Sequence, residues 1–312
     1  MADRERIRAL CHEAGFDLVG FARAEALDPA PLRAWLAAGH HASMDWLARS
    51  EAVRCDPRLL LPGARSVIAL AVNYHQPGST ELPGGGRISR YAWGRDYHKV
   101  LGGRLRRLRR ALAEAVPGIA LWGGVDAVPI AEKVWAERAG IGWIGKHGNL
   151  ITTAFGSWVF LATLVTDLEL PPDAPHPERC GRCEDCLPAC PTAAIVAPGV
   201  IDARRCLSFH TIEHREPWPA WLAEAPGEWL FGCDACQDVC PWNEKHATRS
   251  SVEDFAPRAA IMGRSLEAWR DLDEAGYASA SEGSALRRAG REGLRRSARA
   301  LLAHHRSGEG EG

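Results

Sequence analysis

The sequence predicts an α+β protein in three parts: a mixed α/β domain over 1–170, a cysteine-rich domain over 171–248 and a short helical segment over 249–312. Three observations carry that expectation. Up to about residue 170, apolar runs of strand length alternate with stretches of helical periodicity. Eight of the ten cysteines then crowd between 180 and 240. Beyond 250 the pattern turns helical, and arginines recur along one face.

Taken in order, residues 1–22 read as an amphipathic helix running into the strand DLVGFA. SVIALAVNY at 66–74 is a buried strand, bounded by the turn formers of LPGAR and HQPGS. ELPGGGRIS is a flexible loop. YHKVLGGRLRRLRRALAEAV at 97–116 is a helix with one Leu/Val/Ala stripe and an arginine-rich outer face. GIALWGGV and SWVFLATLVTDLEL are further strands, with VPIAEKVWAERAG as a helix between them. PPDAPHP at 171–177 is a linker, and SGEGEG is a polar tail.

Composition narrows the class. Of 312 residues, 46% are apolar and 25% charged, as in an ordinary globular protein. The net charge of -1 indicates no polyanion partner for the molecule as a whole and leaves room for a local basic face. MADRERIRALCHEAGF has no apolar core of a secretory signal. WVFLATLV at 158–165 is too short to span a bilayer. A cytoplasmic protein with no membrane contact is expected, and in that reducing compartment clustered cysteines point to metal rather than to disulfides.

CGRCEDCLPACP at 180–191 matches the bacterial ferredoxin run C-x2-C-x2-C-x3-C-P, whose fourth cysteine serves the other cluster of a pair. CDACQDVCP at 233–241 is the same run without its first cysteine, because Leu230 stands there. The isolated Cys206 supplies the missing ligand. Crossing the runs gives two complete sets: Cys180, Cys183, Cys186 and Cys240 for one [4Fe-4S] cluster, and Cys190, Cys206, Cys233 and Cys236 for the other. The rival is a four-cysteine zinc site, which eight cysteines in this order with both terminal prolines fit less well. The cysteine domain is thus expected to be ferredoxin-like. Cys11 and Cys55 fall outside the pattern and read as buried or free thiols.

Two motifs mislead. GIGWIG at 140–145 has the glycines of a dinucleotide fingerprint but follows a helix rather than a strand, so it is rejected. Lys146 after it makes no phosphate loop, since His147 replaces the hydroxyl residue. DYHKVLG at 96–102 nearly matches the D-x-H-x-x-G motif that supplies histidine to cobalt, but its glycine comes one residue late. His98 therefore reads as an ordinary, partly buried histidine.

RYAWGRDYHKVL, VDAVPIAEKVWAERAGIGWIGKHGNLIT, RCLSFHTIEHR, GCDACQDVCPWN and GSALRRAGREGLRRSA, together with the cysteine runs, resemble the epoxyqueuosine reductase family over roughly 1–305. The resemblance implies a cobalamin-dependent oxidoreductase with two [4Fe-4S] clusters. Such an enzyme reduces epoxyqueuosine at the tRNA wobble position to queuosine. It implies a cobalamin-binding catalytic domain over 1–170 and a short, truncated HEAT-like helical segment. Asp126 falls on the family's proton donor, and the chemistry calls for a buried carboxyl whose pKa is raised. Its other reading is the N-cap of the helix that follows. Arg54, Tyr91, Lys146 and Ser208 are carried over as cobalamin contacts, beside Asp126. Two departures stand out: family members often have a longer C-terminal helical domain, and His147, Gly148 and Asn149 replace the usual residues after GWIGK.

Seven arginines and one acid lie between 286 and 306. Arg287, Arg291 and Arg295 share a helix face at i, i+4, i+8, with Arg288 close by, a stripe suited to the phosphates of an anticodon stem-loop. The other reading is a solvated face. The chain is expected to act as a monomer fed by an unidentified electron donor. The rivals are a corrinoid reductive dehalogenase-like enzyme, disfavoured by the lack of a twin-arginine signal, and an electron-transfer or tRNA-binding module without chemistry of its own.

Overall fold

Ser66–Asn73 is buried at every position, as an apolar run without alternation requires: both of its faces must be covered. In the computed structural model, which describes residues 3–309 and side chains through Arg306, this strand lies inside a four-stranded sheet. The order across the sheet is Leu18–Arg23, Ser66–Asn73, Val159–Thr166, Leu121–Gly124, and every pairing is antiparallel.

Side chains alternate between two cores. Ile68, Leu70 and Val72 face helices Arg4–Glu13 and Tyr97–Ala115, the second of which buries Leu101, Leu105, Leu108 and Leu112. Val67, Ala69 and Ala71 face Trp135 and Ala136 of helix Glu132–Arg138. That helix presses so close that a Cβ on Gly20 would stand 2.0 Å from the Ala139 carbonyl. Cys11 sits in the first core, where burial pushes its thiol up to about 12.

Several expectations need correction. The arginine face of helix Tyr97–Ala115 is more than a solvated surface. Arg104 donates to the Gly15 carbonyl, Arg107 to that of Ala14 at 3.2 Å and Arg109 to that of Gly123 at 2.6 Å. The helix expected from Val128 starts only at Glu132, because the chain first turns through a loop in which Asp126 has φ +51°. ELPGGGRIS contains a short strand, Arg87–Ile88, paired in parallel with Trp229–Phe231. The linker is strapped down: Asp173 accepts from Arg4, from Arg8 and, at 2.9 Å, from the Phe21 backbone N–H. The last helix, Gly290–Glu309, takes in half of the supposed tail; residues 310–312 lie outside those described.

GIGWIG opens a hairpin, Trp143–Ile144 against Leu150–Ile151. Its glycine serves packing, for a Cβ on Gly142 would meet the Ile151 carbonyl at 2.0 Å. The C-terminal helices share a third core with Ile88, Trp93, Leu230 and Phe231, to which they contribute Leu266, Trp269, Leu294 and Leu301. Leu230, at the position of the missing cysteine, is fully buried there. Among the described residues no helix is long and apolar enough to cross a membrane.

Candidate active site and cluster cavities

The cysteines converge on two cavities. Cys180, Cys183, Cys186 and Cys240 line one of about 170 Å³. Cys190, Cys206, Cys233 and Cys236 line another of about 210 Å³. Among the described residues no three such side chains close on the point a single ion would occupy. A four-iron cube holds its thiolates farther apart than one tetrahedral ion does. Burial pushes the Cys186 thiol up to about 11 and that of Cys236 to about 12, so these thiols resist ionising without a cation beside them. The Trp143 indole N–H donates to Cys180 Sγ at 3.5 Å, and the Ala194 N–H to Cys190 Sγ at 3.1 Å. Donors aimed at sulfur and a four-thiol lining fit a [4Fe-4S] cluster in each cavity.

A third cavity, about 260 Å³, is lined by Tyr74, Tyr91, Tyr97, Phe160, Asp126, Glu132 and Lys133, among others. Its floor is the sheet: Tyr97 stacks on Phe160 with centroids 4.3 Å apart. Asp96 caps the long helix by accepting from the His98 N–H at 3.0 Å, which fixes Tyr97 and His98 in its first turn. From there the Tyr97 hydroxyl donates to Asp126 Oδ2 at 2.5 Å, and His98 Nε2 lies 3.4 Å from the same oxygen. Glu132 accepts the Asp126 backbone N–H at 3.1 Å, so the strained loop is held at both its backbone and its carboxylate.

These contacts reverse the expected electrostatics. The Asp126 side chain is 61% accessible, opening onto the cavity. The hydrogen bond from His98, with help from Tyr97 and against burial, holds its carboxyl below the usual range. Burial alone would lower His98, but the Asp126 and Asp96 carboxylates outweigh it and raise the imidazole to about 9. The raised carboxyl is Glu132, pushed up to about 8 by burial and by the charge of Asp126. Asp126 is not a helix cap either, since Ala131 occupies that place.

Arg54 is within electrostatic reach of Asp126 and Glu132 and donates to Ser50 Oγ at 2.8 Å; Tyr91 lines the cavity. The structure does not bring Lys146 or Ser208 there. Lys146 pairs with Glu184 at 3.3 Å beside the Cys180 set, and Ser208 lines the cavity of the Cys190 set. Sequence reasoning set His98 aside and missed Tyr97, Glu132 and Lys133. The capped DYH triplet was a signal for the first two. Nothing local marks the charged pair, which helical periodicity would send to solvent.

An arginine-lined groove of about 640 Å³ runs along the start of the last helix. Arg287, Arg288 and Arg291 line it with Arg215, Arg296 and Arg299. Arg288 pairs with Glu213 at 2.7 Å, covers the Trp46 ring and feels the charge of Asp126. Arg295 is turned away, donating to the Arg270 carbonyl at 3.1 Å and to Glu292 at 3.0 Å.

Two four-cysteine cavities in series, the second sharing a wall with an acid–base cavity, define an iron–sulfur oxidoreductase. Residues 179–243 match the family described as "4Fe-4S double cluster binding domain", and residues 54–127 match "Epoxyqueuosine reductase QueG, DUF1730". The epoxyqueuosine reductase of Gloeobacter violaceus is 48% identical over 96% of this chain and 94% of its own. A solved epoxyqueuosine reductase carrying an epoxyqueuosine-modified tRNA-Tyr stem loop superposes with a TM-score of 0.89 at 30% identity, over 96% of this chain and 80% of that one. The Bacillus subtilis enzyme, solved with an aspartate catalytic loop swung out of its active site, gives 0.87 at 29%, over 96% and 81%. The chain belongs to the epoxyqueuosine reductase family.

Proposed function

We propose that this chain reduces epoxyqueuosine at the wobble position of tRNA to queuosine, with electrons passed through two [4Fe-4S] clusters and cobalamin. The observation that carries the reading is a common wall. Lys133 and Asn149 line both the Asp126 cavity and that of the Cys190 set, while His147 lines both cysteine cavities. Such adjacency supports a relay from the Cys180 set, where Cys183 is exposed to a donor, through the Cys190 set to the Asp126 cavity.

Bound cobalamin supplies low-valent cobalt, a strong nucleophile toward a strained ring. The flat faces of Tyr91, Tyr97 and Phe160 suit a planar macrocycle, and Tyr91 and Arg54 are the residues we assign to holding it. Both His98 ring nitrogens face carboxylates, Asp96 at 2.9 Å and Asp126 at 3.4 Å, which favours a proton-handling role over a metal ligand. Lys133 ties this region to the cluster side by donating to the Gly148 carbonyl at 2.8 Å and to Asn149 Oδ1 at 2.9 Å.

Converting an epoxide to an alkene consumes two electrons and two protons and releases the oxygen as water. At neutral pH two groups around Asp126 carry a proton, His98 with a pKa of about 9 and Glu132 with one of about 8. Asp126 stands between them and opens onto the cavity, so it delivers the protons that its neighbours hold. The stem-loop lies along the arginine groove, with Arg287, Arg288 and Arg291 on phosphates. We read the helices after 249 as the HEAT-like part of this RNA-facing surface.

Nucleoside analysis of epoxyqueuosine-containing tRNA incubated with protein, cobalamin and a strong reductant tests the reading. Queuosine should appear. Unchanged epoxyqueuosine in the presence of intact clusters and bound cobalamin would leave only an electron-carrying module.

A further inference from the structure

His147 stands in the wall common to the two cysteine cavities. It is only 4% exposed. Its Nδ1 accepts the Asn149 backbone N–H at 3.1 Å. A ring nitrogen that accepts carries no proton, so the hydrogen of the neutral imidazole sits on Nε2. That Nε2 is buried and has no hydrogen-bond partner among the described residues. Buried N–H groups in folded proteins are almost always satisfied, and an unsatisfied one calls for an explanation. The ring lies over Gly145, where a Cβ would stand 3.3 Å from its Cε1.

We propose that His147 donates its Nε2–H to a sulfur of an iron–sulfur cluster in one of the two cavities it lines, and so raises that cluster's reduction potential. The inference rests on the cysteine cavities being cluster sites. A donor aimed at sulfur stabilises the more negative, reduced state, and such hydrogen bonds are among the determinants of cluster potentials. From the wall between the cavities, His147 sets how far downhill the electron steps from one cluster to the next. It is a positioning residue for the electron and need not touch the substrate.

The test compares wild type with His147→Phe and His147→Gln. Iron and acid-labile sulfide report loading, and EPR-monitored redox titration reports both midpoints. In His147→Phe one midpoint should fall while the other stays. His147→Gln, whose amide keeps an N–H, should recover part of the shift. A fully loaded His147→Phe with both midpoints unchanged overturns the proposal. Should the phenylalanine variant lose a cluster, wild type labelled with [15N]histidine decides. Pulsed EPR of its reduced clusters should show an exchangeable proton and a ring-nitrogen coupling, the coupling lost in His147→Gln. Absence of that coupling in loaded wild type overturns the proposal. Wild type that assembles no clusters overturns the cluster reading as well, and the iron count tells the two failures apart.

Discussion

At the scale of single residues, the Asp126 carboxylate is defined by its partners more than by its own burial. His98, with a folded pKa near 9 against an ordinary 6.5, contributes stability in full below 6.5 and loses it as pH rises through 9. Asp126, held low, contributes above the ordinary carboxylate range and loses that only on acidification. The pair is therefore strongest between those limits. His98→Ala should cost less stability at pH 10 than at pH 6, and equal costs in denaturant titrations would remove the ion pair from the account. Asp126→Asn should keep clusters and RNA binding yet slow turnover by about 10²–10⁴. It should also lower the His98 pKa in 15N spectra, because the charge that raises it is gone. Wild-type turnover should fall as pH rises through 8 to 9, where Glu132 and His98 lose their protons. Glu132→Gln still accepts the Asp126 N–H but has no proton to lose, so the limb near 8 should vanish. Its persistence would return Glu132 to a purely structural role.

Elements act here by presenting ends and walls. The Asp96 cap makes a 19-residue helix deliver Tyr97 and His98 to the cavity, while the leucine stripe of the same helix anchors it to the sheet. Leu108→Ala would empty part of that stripe and cost about 2–5 kcal/mol by the usual toll of a large-to-small core change. A shift in the urea midpoint without a change in slope is the expected signature. The cysteine runs depend on a third element. Cys206 sits at the N-terminal edge of helix Leu207–Ile212 and reaches the cavity of Cys190, Cys233 and Cys236. Cys206→Ala should leave about half of the iron by metal analysis, with the Cys180 cavity still loaded. Full iron retention would strike Cys206 from the ligands.

For the molecule as a whole, charge is distributed rather than excessive. A net charge of -1 coexists with a groove walled by six arginines. Reversing Arg287 and Arg299 should weaken binding of the stem-loop and flatten its salt dependence. Each lost phosphate contact lowers the log–log slope by about 0.7–0.9. Arg295→Glu should do neither, since that side chain does not line the groove and is held by the Arg270 carbonyl and Glu292. Equal losses from both changes, in binding isotherms at several salt concentrations, would reduce the groove to a general electrostatic attraction.

Periodicity and spacing determined a great deal of this protein unaided. The strand Ser66–Asn73, the helix Tyr97–Ala115 and the eight-cysteine inventory are legible because their information is local: burial on both faces, a 3.6-residue stripe and a metal-binding run. Cys206 was legible by arithmetic, as the isolated cysteine between two runs one ligand short. Tertiary structure alone decided the electrostatics. Glu132 and Lys133 look like solvent-facing helix residues in sequence, yet they enclose a cavity because the loop before them turns back at Asp126. Arg295 falls on the arginine stripe by spacing but is captured by a carbonyl from a neighbouring helix. Lys146 and Ser208 likewise follow motifs, and packing assigns them to cluster walls. A pKa depends on which charges stand within a few ångströms across the fold. Spacing along the chain carries no record of them.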